Sequence, residues 1–208
     1  GGLLLYGAPG GGKAYLARAI AGELGAAFIN VGLADVLDPM LGVSESNVHE
    51  IFQQARRDGP TVLFLDEVDA LGQRRSKMVG NAMRGVVNQL LIELDGVASD
   101  NDGLFVLAAT NQPWDVDPAF RRPGRFDRTV LVLPPDLTAR RAILASELTG
   151  RPVESIDLDR LAAATDGYSG ADLAHICEAA SESALLDSVR TGRVRMIGMG
   201  DLEAAIRE

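Results

Sequence analysis

Short apolar runs alternate along this chain with longer stretches whose apolar residues recur every three or four positions. Leu3 to Tyr6 is one such run, followed by a glycine-rich loop and helical spacing from Ala14 to Leu24, which predicts strand, loop, helix. Phe28 to Val31 predicts a second strand. Ser46 to Arg57 predicts a helix with Val48, Ile51, Phe52 and Ala55 on one face, ended by Asp58-Gly59-Pro60. Thr61 to Leu65 is β-branched and apolar and closes on Asp66-Glu67, and Val86, Val87, Leu90, Leu91 and Leu94 return to helical spacing. Leu104 to Ala109 and Thr129 to Leu133 complete five strand candidates. Strands apolar on both faces and separated by helices predict an α/β fold, a five-stranded parallel sheet flanked by helices, with ligands at the strands' carboxyl ends. After Pro134-Pro135 the strand signal stops, and helices are predicted near 137 to 149, 157 to 165, 170 to 190 and 200 to 208. The predicted division is an α/β domain over 1–134 and a small all-helical domain over 135–208.

Composition narrows the partners. The 208 residues carry 20 basic and 29 acidic side chains, a net charge of −9, which repels nucleic acid and anionic membranes unless a local basic patch overrides it. A single cysteine, Cys177, can form neither an intrachain disulfide nor a thiolate metal cage, so a reducing, cytoplasmic setting is expected. No apolar run approaches the ~18 residues that span a bilayer. The chain opens directly before a strand and ends inside a helical pattern, as a piece of a longer protein would.

Gly7-Ala8-Pro9-Gly10-Gly11-Gly12-Lys13 follows the first strand and opens a helix, matching G-x-x-x-x-G-K. Small residues there let backbone N–H groups wrap a phosphate, and the lysine reaches the terminal phosphates. Lys13 and Lys77 are the only lysines in the chain. The next position calls for a Ser or Thr hydroxyl on Mg²⁺, and Ala14 stands there, so a water must take that coordination place. Asp66-Glu67 after Val62 to Leu65 has the form of a Walker B motif, with Asp66 for the metal and Glu67 to polarise an attacking water. Asn111 follows the fourth strand as a neutral amide suited to orient a water or a γ-phosphate. Arg121, Arg122, Arg125 and Arg128 place four guanidinium groups in eight residues, either a solvated rim or phosphate ligands.

With these blocks in order, the sequence resembles the AAA clade of the AAA+ ATPases. The resemblance rests on GAPGGGKA at 7 to 14, VLFLDEVDAL at 62 to 71, AATNQP at 108 to 113, DPAFRRPGRFDR at 117 to 128 and DGYSGADLAHICEAA at 166 to 180. It implies an ATPase core with a helical lid, and a homo-oligomeric ring, usually a hexamer, with nucleotide at each subunit boundary. It implies ATP or ADP held by Gly7, Ala8, Pro9, Gly10, Gly11, Gly12, Lys13, Ala14 and Tyr15, with Gly170 and Ala171 in the lid segment that closes over it. Asp66 would take Mg²⁺, with Glu67 and Asn111 in the catalytic centre and Arg125 and Arg128 as arginine fingers on the neighbour's ATP. Met40 and Leu41 stand where the family's pore loop offers an aromatic residue to a translocating polypeptide, and Gln73 to Lys77 falls in a region that faces the pore. Asp166 replaces a histidine that in several relatives touches the ribose. Ser169 is also a plausible helix cap.

The expected function is ATP hydrolysis coupled to remodelling or unfolding of protein substrates. The alternative is a nucleotide-binding, hydrolysis-impaired assembly module, because Ala14 removes a metal ligand. A machine acting on DNA or RNA is disfavoured by the net charge. His49 and His175 lie far apart without partner cysteines and read as surface or core residues, and Cys177 as a small buried hydrophobe.

Overall fold

Val62 and Phe64 project to one side of their strand, Leu63 and Leu65 to the other, and all four are buried, as an interior strand of a parallel sheet requires. The computed structural model describes residues 2–32, 36–38, 40, 42–57, 59–70, 81–96 and 101–207, with the backbone alone for 81–83. Its elements run β1 Gly2–Tyr6, α1 Lys13–Glu23, β2 Ala27–Gly32, α2 Val43–Arg57, β3 Thr61–Asp66, α3 Asn81–Asp95, β4 Leu104–Thr110 and β5 Arg128–Leu131, then α4 Leu137–Leu148, α5 Leu158–Ala164, α6 Gly170–Thr191 and α7 Met199–Arg207. A 3₁₀ turn, Pro118–Arg121, capped by Asp117 and opened by Pro118, precedes β5.

The five strands lie in the order β2-β3-β4-β1-β5, every neighbouring pair parallel. Tyr6 pairs with Thr110 and Leu65 with Ala108. The residues that follow β1, β3 and β4 therefore leave the sheet at one edge, where a parallel sheet presents its ligand site. One face carries Leu4, Leu63 and Leu65 against Val48 and Phe52 of α2 and Val86, Val87 and Leu90 of α3. The other carries Leu5, Val62, Phe64 and Leu107 against Ala17 and Ala21 of α1, small residues that let the helix approach closely. Each fully buried Leu or Phe contributes roughly 1.5–3 kcal/mol by leaving water.

Two compact units result, Gly1–Gly7 with Lys13–Val132, and Ala8–Gly12 with Leu133–Glu208. The second holds its own core, Leu144 and Leu148 of α4, Leu161 of α5, Leu173, Ile176, Cys177 and Ala180 of α6, and Leu202 of α7. Burial pushes the Cys177 thiol up to about 11, so it is an inert core residue.

The sequence-based expectation differs in three places. Apolar faces on both sides hold for β3 and β4, but β5 is exposed at every residue, and none of its side chains joins the clusters that cover the sheet. That strand ends at Leu131, and Leu133, assigned to it by periodicity, lies beyond it. Helix α2 begins at Val43, three residues before the start at Ser46 that the sequence predicts. Ser44, buried, fastens that first turn by accepting the Asp38 N–H at 2.8 Å.

Candidate active site

Gly7 is dictated by crowding, since a Cβ there would sit 2.2 Å from the Val132 carbonyl oxygen. Lys13 opens α1 and is 8% exposed. Its ammonium donates to the Gly7 carbonyl at 3.0 Å and to Asn111 Oδ1 at 2.6 Å. Burial holds its pKa below the ordinary lysine value, while the Asp66 and Asp69 carboxylates oppose that shift. A desolvated ammonium with a fixed approach is suited to receive phosphate oxygens. Ala14 and Tyr15, next on α1, are exposed, Tyr15 by 80%.

Asp66 ends β3 half-buried, and its Oδ1 accepts the Glu67 N–H at 2.9 Å. Glu67 is exposed and adopts φ +56°, the only positive value at a non-glycine residue among those described. Such a conformation costs about 1–3 kcal/mol and persists only where neighbours enforce it. Here the Val68 N–H donates to Ala109 O at 3.1 Å and the Ala70 N–H to Glu67 O at 3.0 Å. Thr110 Oγ1 donates to Asp69 Oδ1 at 2.7 Å. The carboxylate of Glu67 is thereby presented to solvent at the sheet edge that carries Lys13 and Asn111.

In the second unit, Gly10 lies at φ +71°, and a Cβ there would fall 2.7 Å from Ser169 Oγ and 2.9 Å from the Ala171 Cβ. The Ala171 N–H donates to Gly10 O at 3.3 Å and the Gly11 N–H to Ala8 O at 3.2 Å. Ser169 caps α6 in a reciprocal box with Asp172, and the Ser169 hydrogen bonds hold the Asp172 carboxyl below its ordinary value. Ala8, Pro9 and Gly10 are exposed, Gly11, Gly12 and Gly170 half-buried. Asp166 pairs with the buried Arg140 at 3.1 Å.

The arginine cluster divides. Arg121, Arg122 and Arg128 are exposed. Arg125 is taken up by its own chain: Nε and Nη2 each donate to the Asp95 carboxylate at 2.6 Å, and Nη1 donates to Ala119 O at 2.7 Å. Those bonds hold Asp95 below the ordinary carboxylate value. Sequence spacing ranked the four arginines alike because it contains no sign of Asp95, thirty residues away, as a partner. The sequence likewise carries no sign that Asp69, three residues beyond the strand-ending Asp66, and Thr110 are partners.

Met40 is 70% exposed, while Leu41 and the 73–77 segment fall outside the described residues. His49 contacts Glu93 and Gln53, each at 2.7 Å. Burial alone would raise the Glu93 pKa, but hydrogen bonds from His49, Arg56 and Gln89 hold it down. Among the described residues no group of three His, Cys, Asp or Glu side chains could hold a metal ion. A hard cation that arrives on phosphate oxygens and keeps most of its waters fits Asp66 as its protein donor, and the methyl of Ala14 offers it nothing.

Residues 3–133 match the family described as ATPase family associated with various cellular activities (AAA), and residues 155–204 match the AAA+ lid domain. The chain is 43% identical, over 99% of its length, to the ATP-dependent zinc metalloprotease FtsH 3 of Symbiobacterium thermophilum, covering 32% of that protein. It is 45% identical over 93% to the ATP-dependent zinc metalloprotease FtsH of Rhodococcus erythropolis, covering 23%. It is 44% identical over 88% to Protein SAV of Sulfolobus acidocaldarius, covering 24%. The chain thus spans between about a quarter and a third of the length of these relatives.

Proposed function

Since the chain belongs to the AAA family of ATPases, we propose that it is the ATP-hydrolysing motor of a ring-forming machine that remodels or unfolds protein substrates. The observation that carries this reading is the Lys13–Asn111 contact of 2.6 Å at the sheet edge where Asp66 ends β3 and Glu67 follows it. Lys13 neutralises the β and γ phosphates. Glu67 accepts the proton of the attacking water, and Asn111 orients that water or the phosphate it attacks. Asp66 would be the protein donor to a Mg²⁺ ion, which would supply charge neutralisation at the phosphates. Tyr15 and the loop from Gly7 to Gly12 contact the nucleotide, with Gly170 and Ala171.

Arg128, exposed on β5, serves a neighbouring subunit's nucleotide, whereas Arg125 does so only by giving up Asp95. Hydrolysis then depends on assembly into a homo-oligomeric ring, a hexamer in this reading. Met40 and Leu41 offer an apolar, adaptable contact to a polypeptide in the pore. A cytoplasmic setting belongs to the same reading. The resemblance to FtsH proteins makes a protease partner domain or chain the natural companion of this motor.

The test is steady-state ATP hydrolysis with Mg²⁺ across a range of protein concentrations. The rate per subunit should rise with concentration and vanish in Glu67→Gln. ATP binding without turnover at any concentration would instead support the second reading, a nucleotide-dependent assembly module, which Ala14 favours.

A further inference from the structure

Two consecutive ties join the turn after β3 to the end of β4. The Val68 N–H reaches Ala109 O at 3.1 Å, and one residue on, Asp69 Oδ1 accepts the Thr110 hydroxyl at 2.7 Å. Thr110 is 1% exposed. Its oxygen also accepts the Gln112 N–H at 2.9 Å, so the hydroxyl acts as donor and acceptor at once and its rotor is locked. Asn111 lies between the two residues bonded in this way. The bonds therefore hold the turn that aims its amide. The amide oxygen is already used by Lys13 at 2.6 Å, which orients the NH₂ end of the group as the donor for an anion.

We propose that Asp69 is a positioning residue that sets the site's preference for ATP over ADP, acting through Thr110 on Asn111. The inference rests on the reading of Asn111 as the group that meets the terminal phosphate. ATP supplies acceptor oxygens at that phosphate and ADP does not, so an amide held in place favours ATP selectively. An amide left to rotate loses that selectivity while the remaining phosphate contacts persist. Asp69 also acts on Lys13 through its charge, but Lys13 serves both nucleotides, so a change confined to that charge moves both affinities together.

The experiment uses the full chain in a Glu67→Gln background, so that hydrolysis does not distort binding, with fluorescent N-methylanthraniloyl-ATP and -ADP as probes. Asp69→Ala and Thr110→Val should each lower the ATP-to-ADP affinity ratio by roughly 3- to 10-fold, the worth of one net hydrogen bond, with ADP affinity within about twofold. Asp69→Asn keeps an acceptor for the Thr110 hydroxyl and Thr110→Ser keeps the hydroxyl, and both should retain the ratio. The double variant Asp69→Ala/Thr110→Val should be no worse than either single one. A merely structural role would weaken both nucleotides in step and leave the ratio unchanged, which overturns the proposal. So does a fall in Asp69→Asn as large as in Asp69→Ala, or a parent that does not distinguish ATP from ADP. If Asp69→Ala does not fold, Thr110→Val and Asp69→Asn decide the matter by the same criteria. Absence of turnover in the unmutated chain would count against the motor reading alone, because the ratio is read without hydrolysis.

Discussion

At position 14 a methyl group stands beside a buried ammonium, and on the proposed reading this one residue would set how the site meets a metal. Lys13 is held by Gly7 O and Asn111 Oδ1, so the placement of its ammonium owes nothing to the side chain of residue 14, whereas metal alignment would gain a direct ligand from a hydroxyl there. Ala14→Thr is therefore expected to raise ATP turnover by roughly 10- to 100-fold, the range over which groups around a metal change activity, and to lower the Mg²⁺ concentration needed for half-maximal rate. Nucleotide affinity measured in EDTA should stay unchanged. Equal rates for the two chains would show that residue 14 does not limit turnover. That Lys13 opens the first helix, and that Asp66, Glu67 and Asn111 fall at or just after strand ends, was legible in the sequence because each stands at motif spacing from an apolar run. The strained φ of Glu67 and the Asp69–Thr110 bond were not, since both come from the approach of β3 to β4.

Among the elements, α3 and the 3₁₀ turn are joined through one guanidinium. Arg125 binds Asp95 at the end of α3 with two donors and the Ala119 carbonyl with a third. Asp95 sits below its ordinary pKa because Arg125 donates hydrogen bonds to it. A depressed carboxylate contributes stability above its unfolded value, about 3.9 for aspartate, and loses it as pH falls through the lower folded value. Asp95→Asn should cost about 0.5–1 kcal/mol at pH 7, discounted for the partial exposure of the pair. The difference from the unmutated chain in urea unfolding should shrink steadily below pH 4. A difference that persists at pH 2 would show that charge is not its origin. Helices α4 to α6 were legible to within a residue or two because Asp136, Asp157 and Ser169 cap them locally. The exposure of β5 was not, because its period matches that of buried strands and only the packing decides that no core cluster takes up its side chains.

Over the whole molecule, the two faces of the sheet and the helical unit each bury their own set of residues, and Leu173, fully buried, belongs to the helical one. Leu173→Ala should destabilise the helical unit by about 2–5 kcal/mol. Hydrogen exchange is the measurement: α6 amides should lose protection while β3 and β4 amides retain theirs. Equal loss in both units would mean that they unfold as one.

The sequence by itself determined the strand and helix order, the helical second region and the motif residues, because apolar period, helix caps and phosphate-binding spacing are local properties written within a few residues of each other. Tertiary structure alone decided strand order, which brings the ends of β1, β3 and β4 to one edge. It also decided which arginine is spent on its own chain and which hydroxyl locks the Asn111 turn. Those outcomes depend on partners thirty to a hundred residues away, such as Asp95 for Arg125 and Asn111 for Lys13. No local pattern encodes such a distance, and only the packed sheet closes it.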